Sequence, residues 1–155
     1  MKFTFSVADD ELPPASGFDL GHMDVLGSEG EANSRDRTPD QAMMIYLSVT
    51  LLLDGVRHFL TGRERTYESA AVVSSFSLKF SRKKGGWLET RHESALVDRS
   101  SEKDLAAALY QGADTFARAT LRHLPLDDAG RGDLEASLAE FGRWYVRQRL
   151  EVRHD

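Results

Sequence analysis

Residues 72–92, VVSSFSLKFSRKKGGWLETRH, organise the rest of the chain. Val72, Ser74, Phe76, Leu78 and Phe80 fall on one side of an extended segment, and Val73, Ser75, Ser77, Lys79 and Ser81 on the other. A period of two marks a strand with one buried face. Lys83-Lys84-Gly85 suits a three-residue hairpin loop with glycine in the left-handed position. That loop sets Phe80 opposite Leu88, Leu78 opposite Thr90 and Phe76 opposite His92. On the reverse face it sets Lys79 opposite Glu89, a favourable cross-strand charge pair. A slip of one residue would place Phe80 against Glu89 and scramble both faces. The expected element is a long β-hairpin over Thr66 to Val97.

Upstream, Met1, Phe3, Phe5 and Val7 alternate with Lys2, Thr4 and Ser6, which predicts a half-buried strand. A weaker strand is expected within Phe18 to Asn33, its limits blurred by glycines. Thr38-Pro39-Asp40-Gln41 reads as a helix start, with Thr38 at the N-cap, Pro39 at the first helical position and Gln41 reaching back. Ala42 to Leu53 is apolar except for Ser48 and Thr50, so this helix must be covered on most sides. Gly62 ends it. Ser48 and Gly55 are small enough to let another element approach the helix backbone.

Downstream, Ser101-Glu102-Lys103-Asp104 resembles a capping box and opens a helix to about Leu124, ended by Pro125. Leu105, Leu109, Ala113, Phe116, Thr120 and Leu124 mark its buried stripe. Asp127 or Asp128 caps a last helix carrying Leu134, Leu138, Phe141 and Tyr145. The expected fold class is α+β: an antiparallel sheet built around a central β-hairpin and packed on one face by three helices. Residues 1–155 are read as one globular domain, with the tail 151–155 frayed.

The chain has 155 residues, 41% hydrophobic and 29% charged, with no Cys and a net charge of −5. That composition excludes a disordered chain, a collagen-like repeat and a disulfide scaffold. No apolar run is long enough to span a bilayer, and the N-terminus lacks a signal pattern. A soluble, cytoplasmic protein with no membrane contact is the expectation. Residues 1–40 carry 3 basic and 9 acidic side chains, whereas residues 41–99 carry 9 basic and 6 acidic. This spread is read either as solvated loops of opposite sign or as an acidic region that attracts a basic protein. It offers no basic stripe for nucleic acid, so none is expected.

The 5 His residues are not at metal-ligand spacing, and no Cys completes a zinc set. There is no phosphate-binding glycine loop and no nucleophile elbow. No metal, cofactor or catalytic residue is therefore assigned, and enzymatic activity is left open. The hairpin register turns Ser74, Thr90, His92 and Ser94 inward. These four are read first as core polar groups bonded to one another, to backbone or to water. They are read second as the floor of a small-molecule pocket, with Ser74 and His92 as a nucleophile–base pair in its sharpest form. Asp54, Arg57 and His58 are read as a stabilising cluster near a helix end, or as a His–carboxylate base. The outward hairpin face presents Trp87, Glu89, Arg91 and Glu93, a mixture found at protein contacts. Arg143, Trp144, Tyr145 and Arg147 form a second candidate patch. The leading expectation is a non-catalytic protein–protein interaction domain, of immunity, antitoxin-like or regulatory type, binding a protein partner or itself. The alternative is a small-molecule binder or enzyme with a pocket between sheet and helices.

Overall fold

The computed structural model describes residues 1–152. Their architecture is α+β, as expected, but the strands form two four-stranded antiparallel sheets rather than one. In the first sheet, β1 (Lys2–Val7) pairs with one edge of β2 (Leu20–Leu26). The other edge of β2 takes β3 (Glu31–Asn33) and β4 (Met43–Met44). The second sheet is a meander of β5 (Thr66–Ala70), β6 (Ser77–Arg82), β7 (Trp87–His92) and β8 (Ala95–Ser101). Three α-helices complete the described residues: α1 (Ile45–Thr61), α2 (Glu102–Thr120) and α3 (Ala129–Val152).

Local patterning holds where packing agrees with it. Phe3 and Phe5 of β1 are buried while Lys2 and Thr4 are exposed. The Phe18 to Asn33 region contains two strands, joined by a turn in which Gly27 N donates to Gly30 O at 2.9 Å. Ser101 caps α2, its hydroxyl accepting from Asp104 N at 3.1 Å. Asp128 caps α3, its carboxylate accepting from Arg131 N at 2.8 Å. α2 closes at Thr120 and passes through a 3-10 turn, Leu121–His123, before the buried Leu124. α3 continues through Glu151 and Val152, so that part of the tail is helical; residues 153–155 lie outside the described residues.

Two expectations are overturned. α1 does not start at Thr38; it starts at Ile45, with Met44 at the N-cap and no side-chain cap. Met43 and Met44 instead pair with Gly21 and Leu20 of β2, and Gln41 N donates to Ser34 O at 2.8 Å. The first helical amide, Ile45 N, is satisfied across the fold by Asp19 O at 3.2 Å. Tertiary partners thus replace the local cap.

The second is the hairpin. Residues 71–76 turn instead of extending β6, because β5 folds back to pair with β6 and Ala71 N donates to Phe76 O at 2.9 Å. The β6–β7 register is slipped by two residues, with Phe80 opposite Thr90, Lys79 opposite Arg91 and Arg82 opposite Leu88. Gly85 (φ 87°) and Gly86 (φ 82°) both adopt the left-handed conformation, which moves the loop to Lys84–Gly86. Lys83 N then closes it on Trp87 O at 2.8 Å. A slip of two keeps every side chain on its face, so Leu78, Phe80 and Leu88 are buried and Lys79 and Trp87 exposed.

The small positions on α1 are used as close approaches. Ser48 Oγ accepts from Val72 N at 3.0 Å, and a Cβ on Gly55 would lie 1.7 Å from the Tyr67 hydroxyl. The sheets themselves join where the β2–β3 turn meets the edge of β8. Glu29 N donates to Val97 O (3.0 Å), Ser28 N to an Asp98 carboxylate oxygen (2.8 Å) and Arg99 N to Ser28 Oγ (3.1 Å). This turn covers an edge that would otherwise be open to another chain.

Candidate functional site

Among the described residues, no element covers the outer face of the second sheet. Thr66, Glu68 and Ala70 of β5, Lys79 of β6, Trp87 of β7 and Arg99 of β8 are all exposed on it. Trp87 has 56% of its surface free, and its indole leans on the β6–β7 loop at Gly85. Glu89 lies mostly buried amid cations, with Lys83 at 3.7 Å, Arg91 at 3.4 Å and Arg99 at 3.6 Å. The partner read for it from sequence, Lys79, faces Arg91 instead. Arg91 also donates to Ser94 O at 3.0 Å, which fixes its guanidinium on the face. Glu93 sits in the β7–β8 turn at φ 56° and is ion-paired with Arg37. Trp87, Glu89 and Arg91 are therefore neighbours on one surface, while Glu93 lies at its end. Two Glu, Glu68 opposite Lys79 and Glu89, against Lys79, Lys83, Arg91 and Arg99 leave that surface with a net excess of two cations.

The inward set does not converge. Ser74 belongs to the 71–76 turn, where its hydroxyl donates to Gln41 O at 2.7 Å and accepts from Phe76 N at 3.1 Å. The His92 ring stacks on Phe76 with centroids 4.6 Å apart, and its Nδ1 lies 2.9 Å from Ser77 O. A carbonyl can only accept, so Nδ1 carries the proton. Neither side chain is paired with the other, which removes the geometry of the nucleophile–base reading. Thr90 is fully buried, and Ser94 is exposed in the β7–β8 turn. None of the four lines either of two clefts elsewhere on the protein. One, of about 850 Å³, runs between β1 and α2 past Phe5, Gln111 and Thr115. The other, of about 340 Å³, lies among the helix ends at Leu60, Lys103, Trp144 and Arg149.

Asp54 and Arg57 do not pair with each other. Asp54 accepts from Ser137 Oγ at 2.6 Å and Arg57 reaches Glu140 at 3.4 Å, both on α3, while His58 is exposed. Trp144 packs edge-on against Phe141, with centroids 5.2 Å apart.

One constellation has no signature in the sequence. Ser34 Oγ lies 2.9 Å from His22 Nδ1, and Asp40 approaches His22 Nε2 at 3.7 Å. A serine, a histidine and an aspartate in line suggest a hydrolytic triad, but three features oppose it. Ser34 is fully buried, its hydroxyl already accepts from Met23 N at 3.0 Å, and the carboxylate is beyond hydrogen-bond reach of the imidazole. The set instead fastens residues 34–41 across β2. Among the described residues no three His, Asp or Glu side chains gather to hold a metal ion, and no helix is long and apolar enough to cross a membrane. Compared with known protein families, with curated proteins and with solved structures, the chain matches none.

Proposed function

We propose that this protein is a non-catalytic binding domain, regulatory or immunity-like, whose working surface is the outer face of the second sheet and whose partner presents an acidic protein surface. The observation that carries this reading is the exposed Trp87 beside four cations, Lys79, Lys83, Arg91 and Arg99, that outnumber the two anions of the face, Glu68 and Glu89. Tryptophan and arginine are the side chains that most often anchor protein interfaces. The chain's net charge of −5 does not oppose an acidic partner at contact distance. Charges farther apart than about 8–10 Å are screened at physiological salt, so the local cations dominate. The small-molecule reading has less behind it, because the hydroxyl of Ser74 and Nδ1 of His92 already face backbone partners.

Titration of labelled protein with a polyglutamate peptide tests the proposal by amide shifts. Shifts are expected at Trp87, Glu89, Arg91 and Arg99, with affinity falling as salt rises. An Arg91→Ala/Arg99→Ala variant should bind about tenfold more weakly, a loss of about 1.4 kcal/mol. A single-stranded oligonucleotide that moves these amides when the peptide does not would refute an acidic protein partner.

A further inference from the structure

Two segments distant in sequence meet on the surface: residues 9–20, which lead into β2, and residues 125–130, which lead into the first turn of α3. Gly17 N donates to an Asp128 carboxylate oxygen at 3.0 Å. The backbones are so close that a Cβ on Gly17 would lie 3.0 Å from Gly130 Cα. The loop is also fastened internally. Leu20 N donates to Glu11 (3.0 Å), Ser16 N to Asp19 (3.0 Å) and Phe18 N to Ser16 Oγ (3.1 Å).

This anchored backbone holds large apolar side chains in water. Leu12 is 82%, Phe18 65% and Leu126 87% exposed, the latter two beside the Gly17–Asp128 junction. Residues 9–20 contain Asp9, Asp10, Glu11 and Asp19 but no Lys or Arg, and residues 125–130 contain Asp127 and Asp128 but no Lys or Arg. Arg131, next along the chain, has its guanidinium taken by Glu135 and by Leu124 O. An apolar centre with an anionic border selects a ligand of inverse design.

We propose that this surface docks a basic amphipathic segment of a protein partner. Its apolar side chains would cover Phe18 and Leu126, and its Lys or Arg would lie over Asp9, Asp10 and Asp127. The same border repels anionic lipid and nucleic acid. The surface is distinct from the outer sheet face and opposite in sign, so neither reading depends on the other.

The test uses labelled protein of residues 1–155 and an amphipathic Leu/Lys helical peptide, with a Leu/Glu peptide of equal length as control. Amide shifts should concentrate in residues 9–20 and 125–130, and binding should weaken with salt. Phe18→Ser/Leu126→Ser removes only exposed side chains and should lower affinity at least tenfold with an unchanged circular dichroism spectrum. Asp9→Asn/Asp10→Asn/Asp127→Asn should flatten the salt dependence. Equal binding of the Leu/Glu peptide, unaltered binding by the Phe18→Ser/Leu126→Ser variant, or shifts centred elsewhere would overturn the proposal. So would sedimentation showing a wild-type dimer that this variant dissolves, since the occupant would then be a second copy.

Discussion

Arg82 closes α1 from outside the helix. Its guanidinium donates to Phe59 O at 2.6 Å and to Gly62 O at 3.3 Å, its Nε to Glu64 O at 3.0 Å, and it is ion-paired with Glu102. It also lies 4.7 Å above the Phe59 ring. A cation on the last carbonyls of a helix is favourable for both hydrogen bonding and the helix dipole. Arg82→Ala should cost about 2–3 kcal/mol in urea unfolding, and Arg82→Lys should recover less than half, because an ammonium lacks the planar fork. Val73 shows the opposite situation. It is β-branched, 70% exposed and held at φ 55°. Val73→Asn should raise stability by about 0.5–1 kcal/mol by relieving that strain, seen as a higher unfolding midpoint. Tyr46 is buried, and burial, helped by nearby Asp19 and Asp128 and opposed by Thr120, raises its pKa above 10.0. The folded state therefore holds the phenolic proton more tightly than the unfolded chain. The associated stability is complete below the ordinary pKa and is lost as pH rises through the raised one. Wild-type stability should fall more steeply above about pH 10 than that of Tyr46→Phe. Equal slopes would contradict this assignment.

Between elements, glycines decide which backbones can meet. A Cβ on Gly27 would lie 2.0 Å from Val97 O and 2.7 Å from Asp98 Cβ, neither of which can yield without moving β8. Gly27→Ala should destabilise the fold by about 1–3 kcal/mol or more and speed hydrogen exchange at the Glu29 and Arg99 amides, which donate across this junction. Gly30→Ala, whose Cβ would lie 2.9 Å from Leu96 O, should be milder. The pattern of faces on β6 and β7 was readable from alternation alone, and it survives a register slip because the slip is even. The slip itself was not readable. Lys83-Lys84-Gly85-Gly86 allows more than one loop, and the choice rests on two consecutive left-handed glycines and on β8 pairing from the far side.

Across the whole molecule, one apolar cluster joins Phe3 and Phe5 of the first sheet with Leu78, Phe80 and Leu88 of the second. Leu53, Phe116 and Phe141 bring in the three helices. A shared core of this kind unfolds cooperatively. The two Trp residues report different regions, Trp87 on the second sheet and Trp144 on α3. In Trp87→Phe and Trp144→Phe, the fluorescence and circular dichroism midpoints should coincide; separated midpoints would mean independent units. Charge is also sorted at this scale, with cations on the outer sheet face and anions around Phe18 and Leu126.

The amino-acid order by itself determined the α+β class, the buried faces of β1, β6 and β7, the cap at Ser101, the choice of Asp127 or Asp128 for the last helix, and the close approaches at Ser48 and Gly55. Each of these depends on residues a few positions apart, where sterics and periodicity act directly. Trp87, Glu89 and Arg91 were legible as a surface for the same reason. Only the tertiary structure decided that the strands split into two sheets, that α1 waits until Ile45, and that Glu89 sits among Lys83, Arg91 and Arg99. It alone brought Ser34 to His22 and Gly17 to Asp128. Those outcomes turn on which distant group satisfies a backbone donor or fills a space, and local composition leaves several such partners open.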